Sequence, residues 1–333
     1  MKNKITINDV AAYTGVSPST VSHALSGRRK ISDKVRGRIF DAVEKLNYRP
    51  SYTAQVLSSK RTMLVGALVS DCGNAASGML FEALNAELDR HSYKMVLGIS
   101  GTSHERGMEL LKAFSSGLVD GIINMMYQID TNEAKVICSP VPVVTYLRQD
   151  QAPIYIDFES SIMTGLEYLW SMGHRRIGFI TSHSRVYNSV DPCLSGFKHF
   201  LSLKGAEFDP LLVMEGNNTS ENGGAIAERL YRQGVSAIFA GNDQMATGVY
   251  QWAMMNGVKI PEDLSVLGFD DSPLATAVCP PLTTLQMPVA EIARHTVESL
   301  VARIEGLAET AQTRVVCPTL IIRKSICTAK QST

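Results

Sequence analysis

The chain has 333 residues, enough for two or three domains with ample core. Thirty-two basic residues balance 32 acidic ones, but not locally: residues 1–62 hold 12 Lys and Arg against 4 Asp and Glu, leaving 20 against 28 in the rest, so a head of +8 sits on a body of −8. No apolar run approaches the roughly 18 residues of a membrane span, and Met1-Lys2-Asn3-Lys4 leads on without the apolar stretch of a signal peptide, so the expectation is a cytoplasmic protein with no membrane partner.

Thr6 can cap a first helix whose apolar face is Ile7, Val10 and Ala11, and Gly15 can end it with the positive φ that glycine adopts cheaply. Val16 fits the angle of the turn. Ser17 is a favoured N-cap, and Pro18 suits the first helical position, where its missing N–H costs nothing. Val21, Ala24 and Leu25 give this second helix an inward face at i, i+3, i+4 spacing, and Gly27 stops it. A third helix is expected after an N-cap at Ser32, with Val35, Ile39, Ala42, Val43 and Leu46 inward. Gly37 inside it costs about 1 kcal/mol of helix propensity, which predicts close packing there.

This pattern is a helix-turn-helix. The outward residues of its second helix, Pro18, Ser19, Thr20, Ser22 and His23, are small or polar and lie toward the N-terminal end, which such motifs place in a DNA major groove. The solvated face of an ordinary helical bundle would look similar. The charge asymmetry weighs for DNA, because a basic head neutralises phosphates while an acidic body is repelled from them. Arg28, Arg29 and Lys30 follow the second helix, where they suit backbone contacts.

From Met63 the pattern alternates strand and helix. Residues 64–69 form an apolar run; a helix is expected over roughly 78–91, a strand over 94–99 and a helix over about 103–116, with strands continuing at 119–125 and 142–146. A second series has a helix at 159–172 and strands at 176–180, 237–240 and 265–269. Short apolar strands separated by helices imply parallel sheets covered on both faces, and two series imply two doubly wound subdomains. Ligands bind at the carboxyl ends of strands in such folds. Those ends carry Ser70-Asp71, Gly241-Asn242-Asp243-Gln244 and Asp270-Asp271, which suit a polar small molecule and serve equally as helix caps and turn formers.

The six cysteines (72, 138, 193, 279, 317 and 327) contain no CxxC pair, so buried, reduced thiols are expected, with no metal and no cofactor. The chain contains no Walker loop, GxSxG or HExxH motif, and His183, His199 and Cys193 hold no fixed nucleophile–base spacing, so an enzyme is not expected.

Thr6 to Ser22 satisfies the pattern T-I-x-D-V-A-x-x-x-G-V-S-x-x-T-V-S. The body adds Gly173-His174-Arg175-Arg176-Ile177, Asn242-Asp243-Gln244-Met245-Ala246, Ser265-Val266-Leu267-Gly268-Phe269-Asp270-Asp271, Pro281-Leu282-Thr283-Thr284 and Leu320-Ile321-Ile322-Arg323. In order and across nearly the whole chain, these motifs resemble the LacI/GalR family of bacterial transcription regulators, which includes the lactose and purine repressors. The resemblance implies an N-terminal all-α helix-turn-helix domain plus an α/β periplasmic-binding-protein-like core of two doubly wound parallel-sheet subdomains. It divides the chain into a head at 1–48, a hinge at 49–62 and a core at 63–333, with one subdomain at about 63–158 and 288–319 and the other at about 159–287 and 320–330.

By position, the resemblance implies DNA contacts from Thr6, Pro18, Ser19, Thr20, Ser22, His23, Ser26, Lys30, Ser32, Tyr48, Ala54, Leu57 and Ser58. Pro18, Ser19 and His23 would read bases, and Thr20, Ser22 and Ser26 would lie near phosphates. The run Thr20-Val21-Ser22-His23 is more similar to the purine-repressor branch than to the lactose one. The segment from Pro50 is too short to be helical alone. In the family it becomes helical when two copies meet over the minor groove, where Leu57 would be the wedge that unstacks a base step. The implied effector contacts are Asp71, Asn74, Leu80, Met125, Tyr146, Asn188, Cys193, Asn218, Asn242 and Asp270. The implied partners are a palindromic operator, a small carbohydrate-like effector and a second copy of the chain.

Two positions depart from the family. Cys193 stands where many relatives have an arginine, and Asn217-Asn218 where many have a stacking aromatic, which removes a bidentate donor and an apolar platform. Three explanations remain open: an unusual effector gripped by Tyr187, Asn188 or Asp191; a degenerate pocket; or replacement by Arg185 or Arg148. The chain shows no terminal leucine heptads, so a dimer rather than a four-chain assembly is expected. The reading is a sequence-specific repressor under effector control. The alternative is an effector-independent or activating regulator. A transport receptor would lack the basic head.

Overall fold

The computed structural model describes residues 5–26, 31–49, 56, 59–101, 103–126, 129, 131–145, 154–182, 191–307 and 313–330. The expectations at Gly27, Arg28, Arg29, Lys30, Pro50, Ala54, Leu57, Ser58, Tyr146, Arg148, His183, Arg185, Tyr187 and Asn188 lie outside the described residues, as does the side chain of Ser26. The chain divides into two compact units, Met1–Thr62 and Met63–Thr333.

The first unit contains α1 (Ile7–Thr14), α2 (Pro18–Ser26) and α3 (Asp33–Lys45). Gly15 ends α1 at φ 64°, and its N–H donates to the Ala11 carbonyl. Thr14 donates its hydroxyl to the Val10 carbonyl at 2.7 Å, which satisfies a polar group buried at the helix end. Val10, Ala11, Val21, Ala24, Ile39 and Ala42 form the core, joined by Tyr48 after α3. Of the two expectations about α3, the N-cap position holds and the close packing at Gly37 fails. Ser32 occupies the N-cap position but makes no side-chain cap bond. Gly37 is exposed, and a Cβ built there meets nothing within 4 Å, so close packing does not explain the glycine.

The second unit begins with a parallel sheet in the order β2-β1-β3-β4, from β1 (Leu64–Val69), β2 (Lys94–Ile99), β3 (Gly121–Asn124) and β4 (Val143–Thr145). Its crossovers are α4 (Ala75–Arg90), α5 (His104–Ala113) and α6 (Thr131–Cys138). The helix expected to run to about 116 stops at Ala113, because Phe114–Leu118 forms a wider turn in which Gly117 adopts φ 96°. That turn lays the Phe114 ring over Gly66 and Gly98, where a Cβ would stand 2.7 and 2.9 Å from ring carbons.

A six-stranded sheet follows, in the order β12-β10-β9-β8-β6-β7. Its strands are β6 (Ile177–Thr181), β7 (Val213–Glu215), β8 (Ala237–Ala240), β9 (Ser265–Asp270), β10 (Thr283–Gln286) and β12 (Thr319–Ile321), with β12 antiparallel to β10 and the other pairs parallel. The helices here are α7 (Phe158–Ser171), α8 (Pro192–Leu203), α9 (Ser220–Arg232), α10 (Asp243–Met255) and the short α11 (Leu274–Ala277). After β10 the chain returns to the first sheet as α12 (Val289–Ile304), whose Ile292, Val297 and Leu300 pack with Val65, Ile123 and Val144. β5 (Ile154–Ile156) and β11 (Arg314–Val316) then pair in parallel before β12 rejoins the second sheet. The second sheet is sealed by Phe179, which stacks on Phe197 at 5.1 Å and tilts against Phe239 at 5.5 Å.

Among the described residues no helix is long and apolar enough to cross a membrane. The expectation of buried thiols fails for half of the cysteines. Cys72, Cys279 and Cys317 are exposed because they fall in connections just past β1, α11 and β11 rather than inside strands.

Candidate functional site

In the head, the first turn of α2 faces outward. Pro18, Ser19 and Ser22 are exposed and Thr20 and His23 half-buried, while Val21 and Ala24 are buried on the opposite side. The Ser17 hydroxyl accepts from the Thr20 N–H at 3.2 Å and shares hydrogen bonds of 2.8 Å with the Ser19 and Thr20 hydroxyls. This small network fixes the turn that carries the outward residues. Thr6 is exposed, but its N–H and its hydroxyl both donate to the Asp9 carboxylate, at 2.7 and 2.8 Å, and these bonds hold Asp9 below its ordinary carboxylate value. Ser32 is exposed. Tyr48 differs from the other expected DNA contacts: its ring is 9% exposed inside the head's core, and burial pushes its phenol up.

In the second unit, among the described residues, Asp71, Met125, Asn218, Asn242 and Asp270 fall at or just past the carboxyl ends of parallel strands, while Asn74 and Cys193 lie at helix starts and Leu80 lies elsewhere. Leu80 is a core residue, because α4 sets Leu80, Leu84 and Leu88 in a stripe at i, i+4, i+8 against β1 and β3. Met125 packs against the same cluster. Asp71 is exposed after β1 and accepts from the Gly73 N–H at 3.1 Å. Asn74 caps α4 by accepting from the Ala76 N–H at 2.9 Å, which is why that helix starts earlier than its apolar periodicity predicts.

On the six-stranded sheet, Asn242 is buried at the start of α10. Its carbonyl accepts from the Met245 N–H at 2.8 Å, and its amide donates to Asn218 Oδ1 at 2.8 Å. Asn218 reaches this position in a left-handed conformation, φ 66°. Asn242 is therefore a helix cap whose amide is turned to a second strand end. Cys193 lies half-buried in the first turn of α8, where its N–H donates to Asp191 Oδ1 at 2.8 Å. Burial and the adjacent Asp191 push its thiol far up, so it remains neutral.

Asp270 ends β9 in the strained conformation φ 109°. Burial, and then the Asp243 carboxylate, push its carboxyl well above the ordinary range. Among the described residues its carboxylate has no hydrogen-bond partner, unlike Asp271 beside it, which pairs with Arg323 at 2.7 Å and accepts from Gln286 at 2.9 Å.

Residues 6–51 match the model of bacterial regulatory proteins of the lacI family, and residues 166–326 match a periplasmic binding protein-like domain. The ribose operon repressor of Haemophilus influenzae is 31% identical over 338 residues, covering 98% of this chain and 99% of its own. The chain belongs to the LacI family. As a LacI-family protein it is a DNA-binding transcriptional regulator. The lac repressor dimer bound to operator and the anti-inducer ONPF has the same fold, with a TM-score of 0.84 at 26% identity over 98% of this chain and 100% of that one. A complex of the transcriptional regulator CelR with cellobiose matches at a TM-score of 0.70 and 26% identity, over 96% of this chain and 99% of that one.

Sequence reasoning missed the group that braces this LacI-type strand edge from behind. Asp243 is fully buried and accepts from the Ser272 N–H at 2.7 Å, the Ser272 hydroxyl at 3.0 Å and the Thr284 hydroxyl at 2.7 Å. Burial pushes it up to about 6, against these three bonds, which lower it. It ties α10 to β10 and to the turn after β9. Its signal was the pair Asn242-Asp243, in which the first residue caps the helix and the second turns into the sheet. Thr145, Thr181 and Asp191 were also unremarked as a group. Each ends a strand or starts a helix, and each holds a buried side-chain oxygen that has no hydrogen-bond partner among the described residues.

Proposed function

We propose that this regulator is a homodimeric repressor that reads a palindromic operator with α2 and changes its grip when a small polar, carbohydrate-like effector binds at the strand ends of the core. The observation that carries the DNA half is the outward, small and polar first turn of α2 on a head of +8. Pro18, Ser19 and His23 are the proposed base readers. Thr20, Ser22, Ser26, Lys30 and Ser32 are the proposed phosphate partners, with Thr6 through the turn it shares with Asp9. The effector half is supported by the unpartnered Asp270 carboxylate, the Asn242–Asn218 pair and Asp71.

The proposed domain plan is a head at 1–48, a hinge at 49–62 and a two-part core. Effector binding would alter the angle between the two sheets and thereby join or part the two hinges, with a coupling of roughly 1–3 kcal/mol per site. The relatives support the operator and effector readings: one is named a repressor of a ribose operon, one is a dimer on operator DNA and one holds cellobiose. Selection of binding sites from random duplexes tests the reading. The wild-type chain is expected to return a palindrome. His23→Ala is expected to return one with altered preference at a single base of each half-site, worth about 1–3 kcal/mol. An identical consensus from both proteins removes His23 from base reading, and no consensus from the wild type removes the operator.

A further inference from the structure

The outer face of α3 is unlike the rest of the head. Three of the head's four acidic residues, Asp33, Asp41 and Glu44, lie on this one helix, where they nearly balance Lys34, Arg36, Arg38 and Lys45. All seven are exposed, and among the described residues none of them is in an ion pair. A nearly neutral face on a head of +8 is poorly suited to phosphates, so DNA is not its partner.

Two side-by-side features give this face a shape. Phe40 is 44% exposed, with the Arg36 guanidinium 5.7 Å from its ring centre. Gly37, one turn earlier, is exposed and has open space where a Cβ would stand. Asp33, Gly37, Phe40 and Glu44 follow i, i+4, i+7, i+11 spacing and so form one stripe. A glycine inside a helix is unfavourable in its own right, and here it leaves a gap beside a large ring. The stripe thus carries a projecting ring and an open place one turn apart, a self-complementary arrangement of the kind a two-fold contact uses.

We propose that this stripe docks on the same stripe of a second copy of the chain, with the two α3 helices antiparallel and each Phe40 ring set over Gly37 of the other copy. The charges choose the antiparallel direction. The N-terminal half of α3 bears Lys34, Arg36 and Arg38 against Asp33, and the C-terminal half bears Asp41 and Glu44 against Lys45. Antiparallel helices set the basic half of each against the acidic half of the other, whereas parallel ones set like on like. With Phe40 over Gly37, Arg36 comes within about one turn of Glu44 of the other copy. Inside one chain those two residues are about 12 Å apart along the helix axis and do not meet. The contact spans only about three helical turns, so it acts where two heads are already held close, as by a shared core or a shared duplex.

Two differently tagged full-length chains are co-expressed, one of them with Phe40 replaced by the photo-crosslinker p-benzoylphenylalanine. The purified protein is irradiated with and without random-sequence duplex, and adducts between the two tags are mapped by mass spectrometry. An adduct on the α3 peptide around Gly37 of the other chain is expected. Gly37→Gln in both chains fills the open place with a good helix former, so the head is expected to melt no lower than the wild type while the adduct falls roughly 10-fold. Arg36→Glu is expected to lower the adduct by a similar factor, and Arg36→Glu combined with Glu44→Arg to restore it, because the exchanged charges meet only across two copies. The proposal is overturned if no adduct between the tags forms under either condition, or if the adduct lies outside α3. It is equally overturned by adducts to a co-purifying protein in place of the second chain, by a Gly37→Gln protein with unchanged yield, or by a double variant that stays as low as Arg36→Glu. Any of these would leave operator reading by α2 and control by an effector untouched.

Discussion

His174 shows how a single side chain can hold distant parts of the core together. It is 2% exposed, and its Nε2 lies 3.0 Å from the Cys327 carbonyl, which can only accept, so Nε2 carries the proton. Nδ1 is then the acceptor for the Ser236 hydroxyl at 2.8 Å. The neutral ring thus joins the end of α7, the start of β8 and the C-terminal strap that runs past β12. Burial lowers its proton affinity, and the neighbouring Arg175 adds to the effect. A histidine whose folded value is depressed gives stability that is present above its ordinary value and lost as pH falls below about 6.5, because only the unfolded chain then takes up the proton. Urea unfolding of the core is therefore expected to weaken between about pH 7 and 5. His174→Ala is expected to be less stable by about 1–3 kcal/mol at neutral pH, with a flatter pH dependence over that interval. A variant with the same stability and the same pH slope as wild type would show that the ring is not the brace described.

At the scale of elements, α3 carries in a well-formed helix a glycine that its own unit does not explain. Gly37 faces solvent with open space around its Cβ position and packs against nothing in its own unit. Replacing an exposed helical glycine by alanine removes backbone freedom from the unfolded chain and gains about 0.5–1 kcal/mol. Gly37→Ala is expected to raise the melting transition of the head by a few degrees in calorimetry of the full chain. A lowered transition would mean that the helix is strained in a way its geometry does not reveal. The helix-turn-helix itself was legible because each of its devices is local: the glycine at φ 64°, the Ser17 cap and the i, i+3 apolar spacing all lie within one turn of the residues they control. The end of α5 was not legible, since nothing in residues 103–116 alone says that Phe114 must roll over Gly66 and Gly98 on two strands.

At the scale of the whole molecule, the proposed mechanism joins the charge asymmetry to a proposed hinge at 49–62. A head of +8 gives sequence-independent, salt-sensitive attraction to any duplex, which by itself specifies nothing. In the proposed mechanism, specificity beyond α2 comes from Leu57 entering the minor groove, an insertion worth a few kcal/mol of bent DNA and extra contact. Leu57→Ala is expected to lower affinity for the selected palindrome roughly 100-fold. Affinity for random duplex, and its steep fall with salt, are expected to persist. Equal specificity in the mutant, measured by competition at two salt concentrations, would remove the hinge from the mechanism.

The sequence by itself determined the local elements and the kind of partner: the three head helices, the alternation that makes parallel sheets, and the basic surface that seeks phosphate. Each follows from short-range spacing or simple charge. Only the tertiary structure decided which of the polar strand ends are spent. Asn242 caps a helix and Asp243 braces a strand, whereas among the described residues Asp270, Asp191 and Thr181 keep side-chain oxygens without a hydrogen-bond partner. The physical reason is that a hydrogen-bond partner can lie anywhere in the chain. Asp243 meets Ser272 and Thr284, 29 and 41 residues away, and no spacing rule foretells such meetings.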